Sequence, residues 1–208
     1  MLKKQKSGIK NKMILAAGAH FDDVETGVGG TLLKHIKNGD TVKIVIMSSD
    51  EFRTGDPKER LIEQFNCINL MGLQTTDLIL YDMKGDQSDI IYKLDLMKFD
   101  LIYSPYEKDT HQDHRRCSQI CQSVGRKRNI TTMFYYCGSS IEFYPNLFSF
   151  IDINKKDEMI KCFESQIKSG AIHLDRRKKM EAYWASLISN DENSYAEGFK
   201  IRKMIYEI

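Results

Sequence analysis

Ala16-Ala-Gly-Ala-His-Phe-Asp-Asp-Val-Glu-Thr-Gly-Val-Gly-Gly-Thr31 is the stretch whose reading decides the fold. An apolar run, Met13–Ala19, leads into it. His20, Asp22 and Asp23 then fall within four residues, glycines follow at 27, 29 and 30, and a helical pattern starts near Thr31. A buried strand thus hands the chain to a helix through a turn rich in groups that bind cations. In an open α/β sheet such a turn lies at the carboxyl end of a strand, where these folds keep their sites.

Downstream the same alternation continues. Gly30–Asn38 has helical spacing through Leu32, Leu33 and Ile36 and is closed by Gly39-Asp40. Val42–Met47 is a near-continuous β-branched run, as expected of a strand buried on both faces. After the polar loop Ser48–Pro57, the spacing predicts a helix over Lys58–Leu70, a short strand over Leu78–Tyr81 and a helix over Ser88–Lys98. A strand at Asp100–Ser104 stops at Pro105, a helix covers His111–Val124, and a fifth strand covers Thr132–Tyr136. Five alternations with short connections predict an α/β fold, a parallel sheet covered on both faces by right-handed crossovers. The rest is less regular: a strand at Phe148–Ile153, helices at Lys156–Ile167 and Arg176–Ile188, and a strand at Phe199–Ile205. With no repeat, low-complexity segment or linker, the expectation is a basic tail at 1–12 and one domain at 13–208.

Composition bounds the function. At 208 residues, 41% apolar and 29% charged, the chain can bury a substantial core. Lys3, Lys4, Lys6, Lys10 and Lys12 crowd the start, but no aromatic residue interleaves them. That favours a solvated tail over a nucleic-acid arm. No stretch suits a signal peptide, and none approaches the about 18 apolar residues of a membrane span. The cysteines, 67, 117, 121, 137 and 162, are odd in number and form no C-x-x-C pair. Cys117 and Cys121 share a helix face and could hold a metal, but buried thiols are the plainer reading. A reduced, cytoplasmic protein is expected. The oligomeric state is not legible, and a homo-oligomer is left open.

Two clusters carry the chemistry. His20-Phe21-Asp22-Asp23 follows the first strand, and His111-Gln112-Asp113-His114-Arg115 follows the fourth. At carboxyl ends of strands the two can converge across one crevice. Two imidazoles and a carboxylate, with water completing the shell, make a usual catalytic zinc site; ferrous iron suits the same donors. Asp22-Asp23 offers a ligand and a base from adjacent positions. Alone, His-x-Asp-Asp is often only a turn or cap. The second cluster at an equivalent turn reverses that balance. His35 and His173 stand apart and read as surface or structural. Gly27-Val-Gly-Gly30 lacks dinucleotide and P-loop spacing, so helix packing and a tight turn explain it better. There is no G-x-S-x-G elbow.

The sequence His20-Phe-Asp-Asp-Val-Glu25 with Gly29-Gly-Thr31, together with His111-x-Asp113-His114-Arg115, closely resembles the paired motifs of the PIG-L/LmbE family. The resemblance covers roughly Met13–Cys121. It implies a Rossmann-like three-layer αβα domain with a mostly parallel sheet, and a metal-dependent deacetylase of compounds that carry N-acetylglucosamine. On that resemblance His20, Asp23 and His114 would bind Zn2+, another divalent ion such as Fe2+ being the alternative. Asp22 would be the general base. His111 would protonate the leaving amine or steady the oxyanion, and Asp113 would orient a histidine. Arg53 would grip substrate hydroxyls or anionic groups. The family usually has Pro where Phe21 stands, so an exposed Phe21 stacking on a sugar is one expectation. Arg60 and Glu63 read as a plain i, i+3 surface pair.

The expected partner is a small amino-sugar or glycoconjugate substrate, with no nucleic acid. Aglycone contacts are expected from Gly138–Leu147 and the C-terminal segment, through Phe143, Tyr144 and Trp184. Three rivals remain: an amidase for another sugar-linked amide such as a thiol-cofactor conjugate, a non-catalytic sugar-binding protein, and an iron oxygenase.

Overall fold

The computed structural model describes residues 11–48, 55–83, 87–128 and 130–202. Five strands lie parallel: β1 (Met13–Gly18), β2 (Thr41–Ile46), β3 (Leu78–Leu80), β4 (Leu101–Pro105) and β5 (Thr131–Tyr135). Between them run helices α1 (Asp23–Lys37), α2 (Pro57–Leu70), α3 (Gln87–Leu96) and α4 (Gln112–Arg128). Then come β6 (Leu147–Phe150), α5 (Ile153–Ile160), α6 (Glu164–Lys168), α7 (Leu174–Ser186) and β7 (Ala196–Ile201). The seven-stranded sheet has the order β3-β2-β1-β4-β5-β7-β6, with β7 antiparallel to both β5 and β6.

Alternation along β1 builds two cores, one per face of the sheet. Ile14 and Ala16 join Val24, Val28 and Leu32 of α1, Ile68 of α2 and Met159 and Ile160 of α5. Leu15 and Ala17 point the other way, onto Ile90 and Leu94 of α3 and Ile120 and Val124 of α4. This is the αβα sandwich the sequence predicts. β1 and β4 are neighbours but not consecutive in the chain, so the strand order reverses between them. Their carboxyl ends open a crevice at that switch point.

Three expectations shift. The first helix starts at Asp23, not near Thr31. Its glycines lie within the helix, where a Cβ at Gly27 would sit 2.2 Å from the Tyr135 ring and one at Gly30 2.6 Å from Ile151. They bring α1 close to β5 and to the β6–α5 connection. Lys156–Ile167 is two helices, α5 and α6, parted by Lys161, Cys162 and Phe163. The last strand begins at Ala196 and inserts between β5 and β6; the end of its predicted span lies outside the described residues. Cys117 and Cys121 are fully buried in the α4-side core, and the described cysteines form no disulfide.

Candidate active site

The chain leaves β1 at Gly18 and turns at Asp22, whose φ of 89° is left-handed. Asp is among the few side chains that tolerate this region. The turn presents Asp22 and Asp23 to the crevice while Phe21 goes into the core at 2% exposure. Phe21 is therefore not an exposed stacking surface. Its carbonyl accepts from Arg60 Nη2 at 2.8 Å. The same guanidinium nitrogen lies 3.6 Å from Asp22. Arg60 and Glu63 are not a surface pair: both are buried, and Glu63 accepts from the Ser165 backbone N–H and hydroxyl. Arg60 reaches the site because α2 packs its inner face toward this turn.

The second cluster enters from the β4–α4 connection. Asp23 bridges the two clusters: Oδ1 lies 3.3 Å from His114 Nε2, and Oδ2 lies 3.5 Å from His20 Nδ1. Asp23 Oδ2 also accepts the His20 backbone N–H at 2.8 Å. The Asp113 carboxylate faces His20 Nε2 at 3.4 Å, and its own backbone N–H donates to His111 Nδ1 at 3.2 Å. Asp113 Oδ2 thus faces His20, while its Oδ1 lies 3.5 Å from Arg116 Nη1. The three rings cluster, with centroids 4.7 Å apart for His20–His111 and 4.8 Å for His111–His114. Arg53 lies outside the described residues.

Asp109, unmarked in the sequence reading, organises this second half. It is 3% exposed. Its Oδ1 accepts the His111 N–H at 2.8 Å, and its Oδ2 lies 3.2 Å from His114 Nδ1. Ser139 Oγ is also 3.2 Å from that nitrogen. An Asp two residues before the first motif histidine is the signature of a local side-chain turn, and that signal could have found it. Cys137 and Ser139 carried no sequence signal, since only the pairing of β5 beside β4 brings them to the site.

Charge follows this geometry. Burial alone would raise Asp23, but His114 and His20 overcome it and hold the carboxyl well below the usual range. Burial likewise opposes the charge on His114, yet Asp23 and Asp109 raise it strongly. Burial and the neighbouring Asp23 push Asp22 up to about 8, with Arg60 opposing. His111 is lowered by burial and by the other two imidazoles. Burial pushes the Cys137 thiol up to about 12.

Donor atoms of His20, His111 and His114 lie within 4.8 Å of one another, and so do those of Asp23, His114 and Cys137. With His114 Nδ1 engaged by Asp109 and Ser139, its Nε2 faces Asp23, the arrangement that orients an imidazole ligand. The donors therefore fit a divalent cation. They line a cavity of ≈ 430 Å³ whose outer wall includes Ile172, His173, Arg176, Met180 and Trp184. Trp184 is buried and packs on Phe143, ring centroids 6.0 Å apart, whereas Tyr144 is 72% exposed. His35 is structural, joining Asp40 to the Tyr103 hydroxyl. Among the described residues, no helix is long and apolar enough to cross a membrane.

Comparison with known proteins agrees with the motifs. The chain is 30% identical over 159 residues to the uncharacterized deacetylase YaiS of Escherichia coli (strain K12), covering 68% of this chain and 83% of YaiS. The N,N'-diacetylchitobiose deacetylase of Pyrococcus horikoshii superposes with a TM-score of 0.71 at 19% identity, over 91% of this chain and 83% of that one. GalB, the 4-carboxy-2-hydroxymuconate hydratase of Pseudomonas putida KT2440, superposes at 0.74 with 18% identity, over 95% and 98%. These two likenesses establish the fold, which carries more than one chemistry. The family model described as GlcNAc-PI de-N-acetylase matches residues 15–124, a span holding both motifs, and the chain belongs to this PIG-L family.

Proposed function

We propose that the protein is a metal-dependent hydrolase that removes the N-acetyl group from an amino sugar of the N-acetylglucosamine type, giving acetate and a free amine. The observation that carries this is the convergence of two imidazoles and a carboxylate, from two different strand ends, beside a spare carboxylate in one cavity. His20, Asp23 and His114 hold the ion, Zn2+ in the first instance. A divalent ion there supplies Lewis acidity toward the amide carbonyl and makes water more acidic.

Asp22 takes a proton from the water whose oxygen attacks the carbonyl carbon. The same carboxyl can return that proton to the amide nitrogen as the C–N bond breaks. His111 serves as a neutral donor. Its Nδ1 accepts a backbone N–H, which leaves Nε2–H to steady the developing oxyanion. Its lowered proton affinity supports that role over protonated acid. Asp113 orients His20. Arg53 is retained as a substrate contact on the family resemblance alone.

The test is to incubate metal-loaded protein with a panel of N-acetylated amino sugars and quantify acetate and free amine. Equimolar release of both is expected on at least one. No release across the panel, with water added instead across a carbon–carbon double bond of an unsaturated acid, would replace deacetylation with hydration.

A further inference from the structure

The donors in the cavity do not end with the three proposed ligands. Cys137 leaves the end of β5, buried, and its sulfur belongs to the group formed with Asp23 and His114. The loop that carries it is fastened to the loop before α4. The Cys137 N–H donates to Ser140 Oγ at 3.0 Å, and that hydroxyl donates to Asp109 Oδ2 at 3.0 Å. The Thr110 and Ile141 N–H groups cross the same gap to the Ser139 and Lys108 carbonyls, at 3.1 and 3.0 Å. Asp109 Oδ2 therefore both faces the His114 ring and anchors the cysteine loop, while Oδ1 holds the His111 N–H. The fastening fixes sulfur and imidazole relative to each other before any ion arrives. Among the described cysteines, Cys137 alone joins such a donor group: Cys117 and Cys121 lie in the α4-side core, and Cys67 and Cys162 pack in the opposite core.

We propose that Cys137 is a sulfur donor to the metal, joining Asp23 and His114, so that the site selects thiophilic divalent ions such as Zn2+, Co2+ and Cd2+ over Mg2+ and Mn2+. This rests on the metal-site half of the proposed function. Zinc accepts mixed sulfur, nitrogen and oxygen sets, and a thiolate favours softer ions. As the sulfur–metal bond forms, the thiol proton leaves to solvent. The second donor group, His20, His111 and His114, shares only His114 with the first. With Cys137 among the donors, His111 would stay outside the ligand set and would face the substrate.

The experiment is absorption spectroscopy of the full chain loaded with Co2+, with bound metal counted by elemental analysis. The expected spectrum has a thiolate-to-cobalt charge-transfer band in the near ultraviolet beside the visible d–d bands. That band is lost in Cys137→Ser and Cys137→Ala and kept in Cys117→Ala. Wild-type protein with stoichiometric Co2+ and d–d bands but no charge-transfer band overturns the sulfur donor and leaves the metal site standing. A band that persists in a folded Cys137→Ser variant, checked by circular dichroism, overturns it as well. Wild-type protein that takes up no Co2+ removes the metal site itself, and the sulfur donor with it.

Discussion

Asp22 concentrates the chemistry into one side chain. It is held in a left-handed turn, flanked by Asp23, and faced by the Arg60 guanidinium. Metal-loaded Asp22→Asn is expected to keep its ion and fold but lose turnover by roughly 10²–10⁴-fold, since an amide cannot take the proton. Acetate release per bound metal is the measurement, and a near-wild-type rate would remove Asp22 from the base role. His111 separates two chemistries at the same scale. As a neutral hydrogen-bond donor, its loss in His111→Ala costs roughly 10²–10³ in kcat, and His111→Gln, which can still donate, recovers part of that. Equal losses in the two variants would favour proton transfer instead. The motif residues are legible in the sequence because each half of the site is contiguous in the chain. Arg60, Phe21 and Cys137 take places that the sequence does not give, because their positions depend on which residue of another element lies opposite, and no local spacing encodes that; Asp109 differs, since its turn with His111 is local.

At the scale of elements, α1 shows where periodicity misleads. Three glycines in four residues read as a turn because glycine weakens a helix. Packing decided otherwise: Gly27 lies against the Tyr135 ring, whose hydroxyl donates to the Ala17 carbonyl at 2.7 Å, so the ring is pinned. Gly27→Ala is therefore expected to destabilise by about 1–3 kcal/mol through overpacking. At Gly29 the obstacle is the mobile methyl end of Met159, 2.8 Å away. There the helix-propensity gain of about 1 kcal/mol offsets the crowding, and Gly29→Ala should be near neutral. Urea denaturation of the two variants reads the contrast, and equal effects would refute it. A second element-scale contact links the α1–β2 turn to β4. Asp40 accepts from His35 Nδ1 at 2.6 Å and from the Lys12 N–H at 2.9 Å, while His35 Nε2 meets the Tyr103 hydroxyl at 2.9 Å. Burial opposes ionisation of Asp40, but these partners hold its carboxyl below the ordinary 3.8. A depressed carboxyl contributes stability that is present above the ordinary value and lost as pH falls through the folded one. The stability gap between wild type and Asp40→Asn should therefore hold at neutral pH and shrink below pH 3.8. A gap constant down to strongly acid pH would contradict this.

The whole molecule is a parallel sheet that ends in an antiparallel pair, and that join is the part least legible in the sequence. Alternating runs announce the five parallel strands, but nothing local says that β7 slips between β5 and β6. A buried ionic network shows what holds the insertion. Lys156 of α5, fully buried, reaches Glu197 of β7 at 2.5 Å and Glu181 of α7 at 2.7 Å. Glu197 also accepts the Gly30 and Thr31 N–H groups of α1, each at 2.8 Å, an approach the bare Gly30 backbone permits. Arg177 pairs with both Glu181 and Asp157, tying α7 back to α5. One lysine thus bridges two buried carboxylates from two elements, with Arg177 supplying a second positive charge to Glu181, and α7 carries Arg176, Met180 and Trp184 of the cavity wall. Such a network adds little over a well-packed apolar core, but removing one member leaves the others uncompensated. Lys156→Met, close to lysine in length, is expected to destabilise by about 3–5 kcal/mol. Adding Glu197→Gln removes one stranded charge and should restore part of the loss, because the amide oxygen can still accept one α1 N–H. Metal content should not change in either variant, since none of these side chains is among the candidate donors. Chemical denaturation with metal analysis checks both statements. A Lys156→Met cost below about 1 kcal/mol would mean that apolar packing alone seats β7. A double variant less stable than the single would mean that Glu197 acts chiefly through the α1 backbone rather than through the lysine.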